Sequence, residues 1–180
     1  MTIVNLLDLD INLIYNESVK ANLRIGFGFD VHRLVKDRKF ILGGIVIKYS
    51  KGLLGHSDAD VLSHSISDAL LGAAGLNDIG YYFPDTDKKL KGISSLIILS
   101  KILQMISKQG YKIVNIDSVV VCQEPKLNPY FPKMKDKLAR TLKIDTSQIG
   151  LKAKTTEKLG FTGRGEGIAS YTIALLEKKS

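Results

Sequence analysis

The sequence predicts an α/β (α+β) fold, a two-layer sandwich in which helices pack on one face of a mixed β-sheet. Strand-like runs rich in β-branched and aromatic residues alternate with amphipathic segments of helical length. Glycine follows two of these helical segments directly, at positions where helices commonly end. The chain has 180 residues, 44% hydrophobic and 24% charged, which is enough to bury one compact core.

The placement of glycines predicts the first strand and a hairpin after it. Residues 24–32 form a strand-like run in which Gly26 and Gly28 mark points where a side chain would crowd a neighbour. Residues 39–47 are typical of two short strands around the pair Gly43-Gly44. We therefore expect a strand and then a hairpin at the start of the domain.

The segment Gly55-His-Ser-Asp-Ala-Asp marks the start of the first helix, with Ser57 or Asp58 available as its N-cap. This helix is expected to continue to Ala74 and to stop at Gly75. Residues 76–92 then form a long loop, and loops of more than about a dozen residues tend to be functional or disordered. Its three aromatic residues favour an ordered loop.

The second half of the chain continues the alternation of helix and strand. A helix over 93–109 carries apolar residues at helical spacing and ends before Gly110. The later predicted elements are a strand over 112–122, a proline-containing loop, a helix over 131–142, a strand over 149–156, a glycine-rich turn and a strand over 168–176. In the last segment, Tyr171, Thr172 and Ile173 favour strand over helix.

Residues 1–22 are interpreted as a leader or a processed targeting remnant, and residues 23–180 as a single domain.

Cys122 is the only cysteine, so no internal disulfide can form, which fits a reducing compartment. Because Cys122 ends an apolar strand-like run, we expect a packed residue and not a nucleophile. No apolar run is long enough to span a bilayer, and no membrane partner is expected.

The formal net charge of +8 indicates an anionic partner: a phosphorylated ligand, a nucleic acid or an acidic membrane surface. A lysine-rich solvated surface explains the charge equally well. Lysines such as Lys133, Lys135 and Lys137 lie on a predicted helix with no aromatic residue between them. A surface that stacks nucleic-acid bases is therefore poorly supported, although a basic nucleic-acid-binding module stays as an alternative.

Asp30 and His32 are two residues apart on the first predicted strand, so their side chains leave the same face. A carboxylate beside an imidazole is a possible start for a zinc site, although a hydrogen-bonded pair is the more common meaning. A third ligand would come from His56, Asp60 or His64, and spacing alone does not choose among them. Three such ligands plus water or phosphate would form an open catalytic zinc site.

Residues 154–167 form a second candidate site. The glycines around Arg164 and Glu166 expose backbone N–H groups that could hold an anion, although a tight structural turn also explains them. Thr155, Thr156 and Glu157 follow directly on a predicted strand end. Hydroxyls and a carboxylate there suit phosphate and a hard cation such as Mg²⁺.

Taken together, five motifs in order resemble the 2-C-methyl-D-erythritol 2,4-cyclodiphosphate synthase family of the non-mevalonate isoprenoid pathway. These motifs are Gly28-Phe-Asp-Val-His-Arg, Gly55-His-Ser-Asp-Ala-Asp with His64, Asp78-Ile-Gly, Phe83-Pro-Asp-Thr-Asp and Lys158-Leu-Gly-Phe-Thr-Gly-Arg-Gly-Glu-Gly. The resemblance extends from about Arg24 to the C-terminus. It implies a metal-dependent phosphorus–oxygen lyase that converts 4-diphosphocytidyl-2-C-methyl-D-erythritol 2-phosphate to the cyclic diphosphate and CMP.

The resemblance also implies the roles of individual residues. The implied zinc ligands are Asp30, His32 and His64, one ion per site, with Glu157 holding Mg²⁺ or Mn²⁺ together with the substrate. His56, Thr155 and Thr156 complete the implied catalytic set. The implied substrate contacts are Ser57, Asp78, Gly80, Phe83, Asp85, Lys126, Leu127, Thr155, Phe161 and Arg164. Cytosine would lie in the loop 122–129, held mainly by backbone groups.

The same resemblance implies a homotrimer with active sites between subunits and Phe161, Arg164 and Glu166 around a central axis that can hold an isoprenoid diphosphate. Because the family works in bacteria and plastids, the appended leader favours a plastid-type organelle, apicoplast or chloroplast stroma, over a bacterial cytoplasm. The main alternative activity is a zinc-dependent phosphoanhydride hydrolase with the same ligands.

Overall fold

The structure is a computed structural model that describes residues 22–179. Apart from its last residue, the expected leader 1–22 lies outside the described residues. The strands are β1 (Leu23–Val35), β2 (Phe40–Leu42), β3 (Ile45–Ile47), β4 (Gly52–Leu54), β5 (Tyr111–Val121), β6 (Ile149–Lys154) and β7 (Gly167–Lys178). The helices are α1 (Val61–Ala73), α2 (Ile79–Tyr82), α3 (Ser95–Lys108), α4 (Phe131–Leu142) and α5 (Gly160–Gly163). Within these residues, no helix is long and apolar enough to cross a bilayer.

Five strands form a mixed sheet in the order β4-β1-β7-β5-β6, which confirms the predicted mixed sheet. β5 and β6 are parallel, and every other neighbouring pair in this sheet is antiparallel. β2 and β3 pair separately as the predicted hairpin around Gly43 and Gly44, both of which have positive φ angles. β1 and β7 pair along most of their length, which gives β1 a rigid partner beneath the site.

Helix α1 packs directly on β1, and the strand glycines make this possible. A Cβ atom on Gly26 would lie 1.9 Å from the Ala69 carbonyl oxygen, and one on Gly28 would lie 1.9 Å from the Ser65 carbonyl oxygen. The predicted crowding at both glycines is confirmed, and the neighbour is the backbone of α1. Close contact between α1 and β1 brings side chains of the helix next to those of the strand.

The N-cap of α1 is Asp60, so the prediction of Ser57 or Asp58 in that role is wrong. The Asp60 carboxylate accepts hydrogen bonds from the Ser63 backbone and also from the backbone N–H groups of Gly43 and Gly44. It therefore caps the helix and fixes the hairpin to it. At the other end, Gly75 has a φ of +72°, as expected for a residue just after a helix.

The loop predicted over 76–92 contains two short helical elements, α2 and a 3₁₀ turn over Lys88–Leu90. Asp78 caps α2 by accepting a hydrogen bond from the Tyr81 backbone N–H. The Asp68 carboxylate, on α1, accepts from the Ile79 backbone N–H at 2.8 Å. The segment is thus ordered, as its aromatic residues predicted, and it is attached to the helix that carries His64.

The helices cover one face of the sheet and leave the other face exposed. The face toward the helices is buried, with a core that includes Leu62, Ile66, Leu70, Leu99 and Ile102. The opposite face, here called the outer face, is exposed in the single chain although it is apolar. Its exposed residues include Leu23, Ile25, Phe27, Phe29, Val31, Tyr171 and Ile173, with Phe27 at 62% and Ile173 at 53% exposure. An apolar sheet face of this extent is typical of an interface.

Candidate metal and substrate site

Asp30 and His32 from β1 meet His64 from α1 at one point. The Nδ1 atom of His64 lies 2.9 Å from Oδ2 of Asp30 and 3.1 Å from Nε2 of His32. The third side of this triangle, between Nε2 of His32 and Oδ2 of Asp30, is 3.1 Å. Among the described residues 22–179, this triad is the one group of three or more His, Cys, Asp or Glu side chains placed to share a metal ion.

The triad fits a small tetrahedral cation. A zinc ion with bonds of about 2.0–2.2 Å holds its ligand atoms roughly 3.3 Å apart, close to the spacing found here. Nδ1 of His32 lies 2.8 Å from the Leu54 carbonyl oxygen, which can only accept. In the neutral ring the proton therefore sits on Nδ1, and the lone pair of Nε2 faces the other two ligands.

The three side chains are also electrostatically coupled. Burial alone would raise the pKa of the Asp30 carboxyl, but hydrogen bonds from the protonated rings of His32 and His64, and the positive charge of those rings, hold that pKa below its ordinary value. Burial alone would lower the pKa of His64, but the hydrogen bond to Asp30 and the charge of Asp30 raise that pKa above 6.5. A divalent cation would replace the proton on His64 and keep Asp30 ionised.

The structure separates the three candidates for the third ligand. His64 lies in the triad. Asp60 is fully buried, and its carboxylate accepts bonds from Gly43, Gly44 and Ser63, so it is used for structure. His56 lines the cavity beside the triad without joining it.

A cavity of about 530 Å³ opens beside the triad. It lies between the start of α1 and the segment 76–93, so it is bounded by a helix N-terminus and by the ordered loop. Of the predicted site residues, it is lined by His32, His56, Ser57, His64, Gly80, Phe83 and Asp85. Asp78 is exposed and caps α2 at the edge of this region. The volume is within the range of small-molecule sites.

A second cavity, of about 380 Å³, brings together Lys126, Leu127 and Thr155. Leu127 is 2% exposed and belongs to the core, although it also lines this cavity. Cys122 lines the same cavity and is 4% exposed, and burial raises the pKa of its thiol to about 12. Cys122 is thus a packed residue, as predicted, and a buried thiol with a raised pKa is a poor nucleophile near neutral pH.

Glu157 is not part of the triad within one chain. It accepts a hydrogen bond at 2.6 Å from the Thr155 hydroxyl, whereas the Thr156 hydroxyl donates to the Leu159 carbonyl oxygen. Glu157 and Lys158 have positive φ angles of 52° and 67°, which are costly for residues with side chains. Such strain tends to persist at functional sites, and here it turns the Glu157 carboxylate outward, next to Thr155.

Arg164 and Glu166 border a third cavity, of about 360 Å³, together with Arg33 and Lys51. The Arg164 guanidinium donates to both carboxylate oxygens of Glu166, at 2.8 and 3.1 Å. Phe161 does not line this cavity; it is 41% exposed, in the short helix α5. The three residues predicted for a central axis are thus near one another in sequence but do not share one pocket.

Two further residues contact the triad and were missed from the sequence. The Leu54 carbonyl orients His32, and Ser95 at the start of α3 places its hydroxyl oxygen 2.9 Å from Nε2 of His64. A backbone carbonyl carries no residue-type signal. Ser95 is 31 residues from His64 and belongs to none of the motifs.

Comparison with known proteins gives a consistent result over almost the whole described chain. The model of the YgbB family matches residues 23–177. A protein of Clostridium acetobutylicum named 2-C-methyl-D-erythritol 2,4-cyclodiphosphate synthase is 59% identical over 154 residues, 86% of this chain and 99% of its own length. A protein of the same name from Geotalea uraniireducens is 57% identical over 157 residues, 87% of this chain and 100% of its own.

A solved structure also matches. IspF of Plasmodium falciparum in its CDP complex has a TM-score of 0.77 and 37% identity, and the match covers 88% of this chain and 97% of that one.

The expectation of a plastid-type compartment is wrong. Relatives at 53–59% identity come from bacteria, among them species of Clostridium, Fusobacterium and Synechococcus. The prediction rested on residues 1–22, whose composition is a weak signal of compartment because the segment holds a single lysine, Lys20.

The motifs, the triad, the fold and the match over residues 23–177 agree with one another. The relatives are far above 30% identity and are covered almost completely. The chain therefore belongs to the YgbB family, the family of the 2-C-methyl-D-erythritol 2,4-cyclodiphosphate synthases.

Proposed function

We propose that this chain converts 4-diphosphocytidyl-2-C-methyl-D-erythritol 2-phosphate to 2-C-methyl-D-erythritol 2,4-cyclodiphosphate and CMP, as a phosphorus–oxygen lyase of the non-mevalonate isoprenoid pathway. The observation that carries the proposal is the triad of Asp30, His32 and His64 at the wall of a 530 Å³ cavity, in a chain of this family. No protein nucleophile is required, which agrees with the buried thiol of Cys122.

In this reaction an oxygen of the 2-phosphate attacks the β-phosphorus, and the bond from that phosphorus to the oxygen of CMP breaks. Both reacting groups are anionic, so positioning and charge neutralisation dominate. Asp30, His32 and His64 would hold a zinc ion, which would supply a Lewis acid for the phosphates, and Glu157 would hold Mg²⁺ or Mn²⁺ together with the substrate.

The protein's own residues position the substrate. His56 and Ser57 point into the cavity beside the triad and would hold the methylerythritol phosphate, with Asp85 near its hydroxyls. Asp78 and Gly80 would contact the ribose. Phe83 and neighbouring apolar residues of the ordered loop would exclude water that could otherwise hydrolyse the diphosphate of the substrate.

The nucleotide end of the substrate would occupy the second cavity, at residues 122–129 and 153–155. Backbone groups of Lys126 and Leu127 would bind cytosine, and Thr155 of the same cavity would contact the diphosphate. Thr156, which does not line the cavity, would contact the diphosphate from its edge. A relative solved as a CDP complex supports a cytidine nucleotide as the ligand.

We further propose a homotrimer in which the triad of one subunit faces Glu157 of the next. Two observations support it: the triad and Glu157 do not meet within one chain, and the outer face is apolar and exposed. The cavity at Arg164 and Glu166, with Arg33 and Lys51, has the charge for an isoprenoid diphosphate near the trimer axis. Residues 1–22 would be a leader to the single domain 23–180.

Incubation of the protein with the diphosphocytidyl substrate, Zn²⁺ and Mg²⁺ tests the proposal. CMP and the cyclic diphosphate are the expected products, identified by ³¹P NMR and mass spectrometry. A linear phosphate product would instead support the phosphoanhydride hydrolase. If neither product forms and binding is found only to nucleic acid, with a steep salt dependence, the enzymatic assignment is wrong.

A further inference from the structure

Ser95 is the first residue of α3 and lies behind the metal triad. Its side chain is 1% exposed, and its hydroxyl oxygen is 2.9 Å from Nε2 of His64, the ring nitrogen that points away from Asp30. α3 is remote in sequence from β1 and α1, so this contact adds a third element to the support of the triad.

The direction of the hydrogen bond follows from counting protons. The Ser95 hydroxyl contacts Oδ1 of Asp58, and the Ser95 backbone N–H donates to Oδ2 of Asp58 at 3.0 Å. A carboxylate only accepts, so the single hydroxyl proton of Ser95 goes to Asp58. The lone pairs of the Ser95 oxygen are then left to accept from His64.

A neutral His64 must therefore carry its proton on Nε2. Its lone pair is then on Nδ1, which lies 2.9 Å from Oδ2 of Asp30 and 3.1 Å from Nε2 of His32. Ser57 also lies 3.1 Å from Nε2 of His64, and its oxygen already accepts from the Ala59 backbone N–H. The chain Asp58–Ser95–His64 selects the tautomer that a metal ion requires.

We propose that Ser95, oriented by Asp58, is a positioning residue that fixes the ring and tautomer of His64 for metal binding. The inference rests on the metal site of the proposed function. The same segment is tied to the end of the loop, because Asp58 donates its backbone N–H to the Ile93 carbonyl at 3.0 Å and Gly92 donates to the His56 carbonyl at 2.8 Å. Asp58 and Ser95 are therefore held in register before any metal binds.

The test is the zinc affinity of the whole protein, measured by competition with a chromophoric chelator. Ser95→Ala is expected to weaken zinc binding by about 10- to 100-fold, the usual effect of losing the hydrogen-bond partner of a metal-bound histidine. Ser94→Ala is the matched control, since Ser94 precedes it at the same helix end and makes no side-chain capping bond. The control is expected to bind zinc like the wild type.

A spectroscopic measurement separates positioning from loss of fold. In the zinc-loaded wild type, the Nε2–H proton of His64 is expected to give a slowly exchanging imidazole NMR signal, which Ser95→Ala loses while the melting temperature of the metal-free protein stays near that of Ser94→Ala. Unchanged zinc affinity in Ser95→Ala overturns the inference. If His64→Ala also binds zinc normally, the metal site itself is wrong, which is a different failure.

The part played by Asp58 is tested by a double-mutant cycle. Asp58→Asn is expected to weaken zinc binding in the wild-type background and to add little in the Ser95→Ala background, because Asp58 acts through Ser95. Fully additive losses would overturn this linkage.

Discussion

At the triad, each histidine is held through the ring nitrogen that faces away from the shared point. His32 donates to the Leu54 carbonyl, and His64 meets the hydroxyls of Ser57 and Ser95. Both rings are thus oriented by groups that contact the ring nitrogen opposite the one facing the metal position. This arrangement lowers the reorganisation needed when a cation enters.

Replacing His64 removes a ligand from the triad. His64→Ala is expected to reduce zinc affinity by more than about 100-fold, beyond the effect of losing an outer hydrogen bond, and to abolish cyclisation. Zinc content by elemental analysis after dialysis measures the first effect. His56→Ala is the matched control: it should keep its zinc and lose activity through substrate binding. Full zinc content in His64→Ala would contradict the assignment.

The stability of the metal-free protein should depend on pH through His64. The pKa of His64 is raised above 6.5 in the folded state. Its contribution to the free energy of unfolding is therefore complete below pH 6.5 and is lost as the pH rises through the raised pKa. The melting temperature of the metal-free protein is therefore expected to fall across this window. His64→Asn, which cannot titrate, should show a flatter profile, and equal slopes would contradict this account.

The lowered pKa of Asp30 acts in the opposite direction. The contribution of Asp30 to the free energy of unfolding is present above its ordinary pKa of 3.8. It is lost as the pH falls through the lower pKa of the folded state. The Asp30–His64 pair is thus most stabilising between the ordinary pKa values of the two groups, 3.8 and 6.5.

Zinc binding near pH 7 should release protons from the triad. The measurement is the dependence of the calorimetric binding enthalpy on the ionisation enthalpy of the buffer.

The residues of the site differ in how far the sequence could predict them. Asp30 and His32 share a strand face by simple alternation, which needs no knowledge of the fold. Spacing on α1 could not separate His64 from Asp60, because the choice depends on Asp60 capping the helix and binding Gly43 and Gly44. Family motifs, not periodicity, identified His64.

Among the elements, the contact of α1 with β1 positions the whole site. The carbonyl oxygens of Ser65 and Ala69 occupy the space that side chains would need at Gly28 and Gly26. Asp30 and His32 follow on the same strand face, so the distance between α1 and β1 sets the distance between the ligands. Asp68 extends this frame by holding α2.

Adding one methyl group at this contact should therefore displace α1. Gly28→Ala is expected to lower the free energy of unfolding by about 1–3 kcal/mol through overpacking and to weaken zinc binding as His64 moves from β1. Urea denaturation of the metal-free protein measures the first effect.

Gly72→Ala provides the control within α1. A Cβ atom there would have its nearest neighbour, the Phe27 carbonyl oxygen, at 3.8 Å, which is ordinary contact. Alanine favours a helix by up to about 1 kcal/mol over glycine, so this variant should be neutral or more stable. Equal destabilisation by both substitutions would show that packing on β1 is not the cause.

Most elements could be predicted from the sequence to within a few residues, because their hydrophobic periodicity and terminal glycines are clear. The start of α1 was predicted too early, since Ser57 and Asp58 bond to Ala59, His64 and Ser95 instead of capping. Helix α2, within the predicted loop 76–92, was not predicted, because four residues are too few to show a helical periodicity of apolar residues.

On the scale of the whole molecule, the outer face is the feature that one chain leaves unexplained. The Tyr171 ring there lies beside both Phe27 and Phe29, with centroid distances of 6.4 Å and 4.9 Å. Burial of such a face would stabilise an assembly at about 25 cal/mol per Å². Alternation along β1 shows that most of its apolar residues lie on the face opposite Asp30 and His32, but the sequence does not say what covers that face.

A charge on the outer face should therefore disrupt the proposed trimer. Ile173→Asp is expected to shift the mass by analytical ultracentrifugation from trimer to monomer and to lower cyclase activity with it. Val46→Asp replaces an equally exposed apolar residue on β3, outside this face, and should remain trimeric. A monomeric wild-type protein with full activity would contradict the proposed assembly.

Mixing two inactive variants tests whether each site is shared between subunits. Trimers assembled from equal amounts of His64→Ala and Glu157→Ala chains should recover about a quarter of the wild-type activity, since random assortment places two intact partners at that fraction of interfaces. No recovery would mean that the triad and Glu157 act from the same chain.

In the proposed function, the triad serves an intramolecular phosphoryl transfer and not hydrolysis. The most direct measurement is turnover of the diphosphocytidyl substrate in ¹⁸O-labelled water, with products analysed by mass spectrometry. Cyclisation predicts CMP and a cyclic diphosphate without ¹⁸O, because the attacking oxygen comes from the 2-phosphate. A linear phosphate carrying one ¹⁸O atom would contradict it.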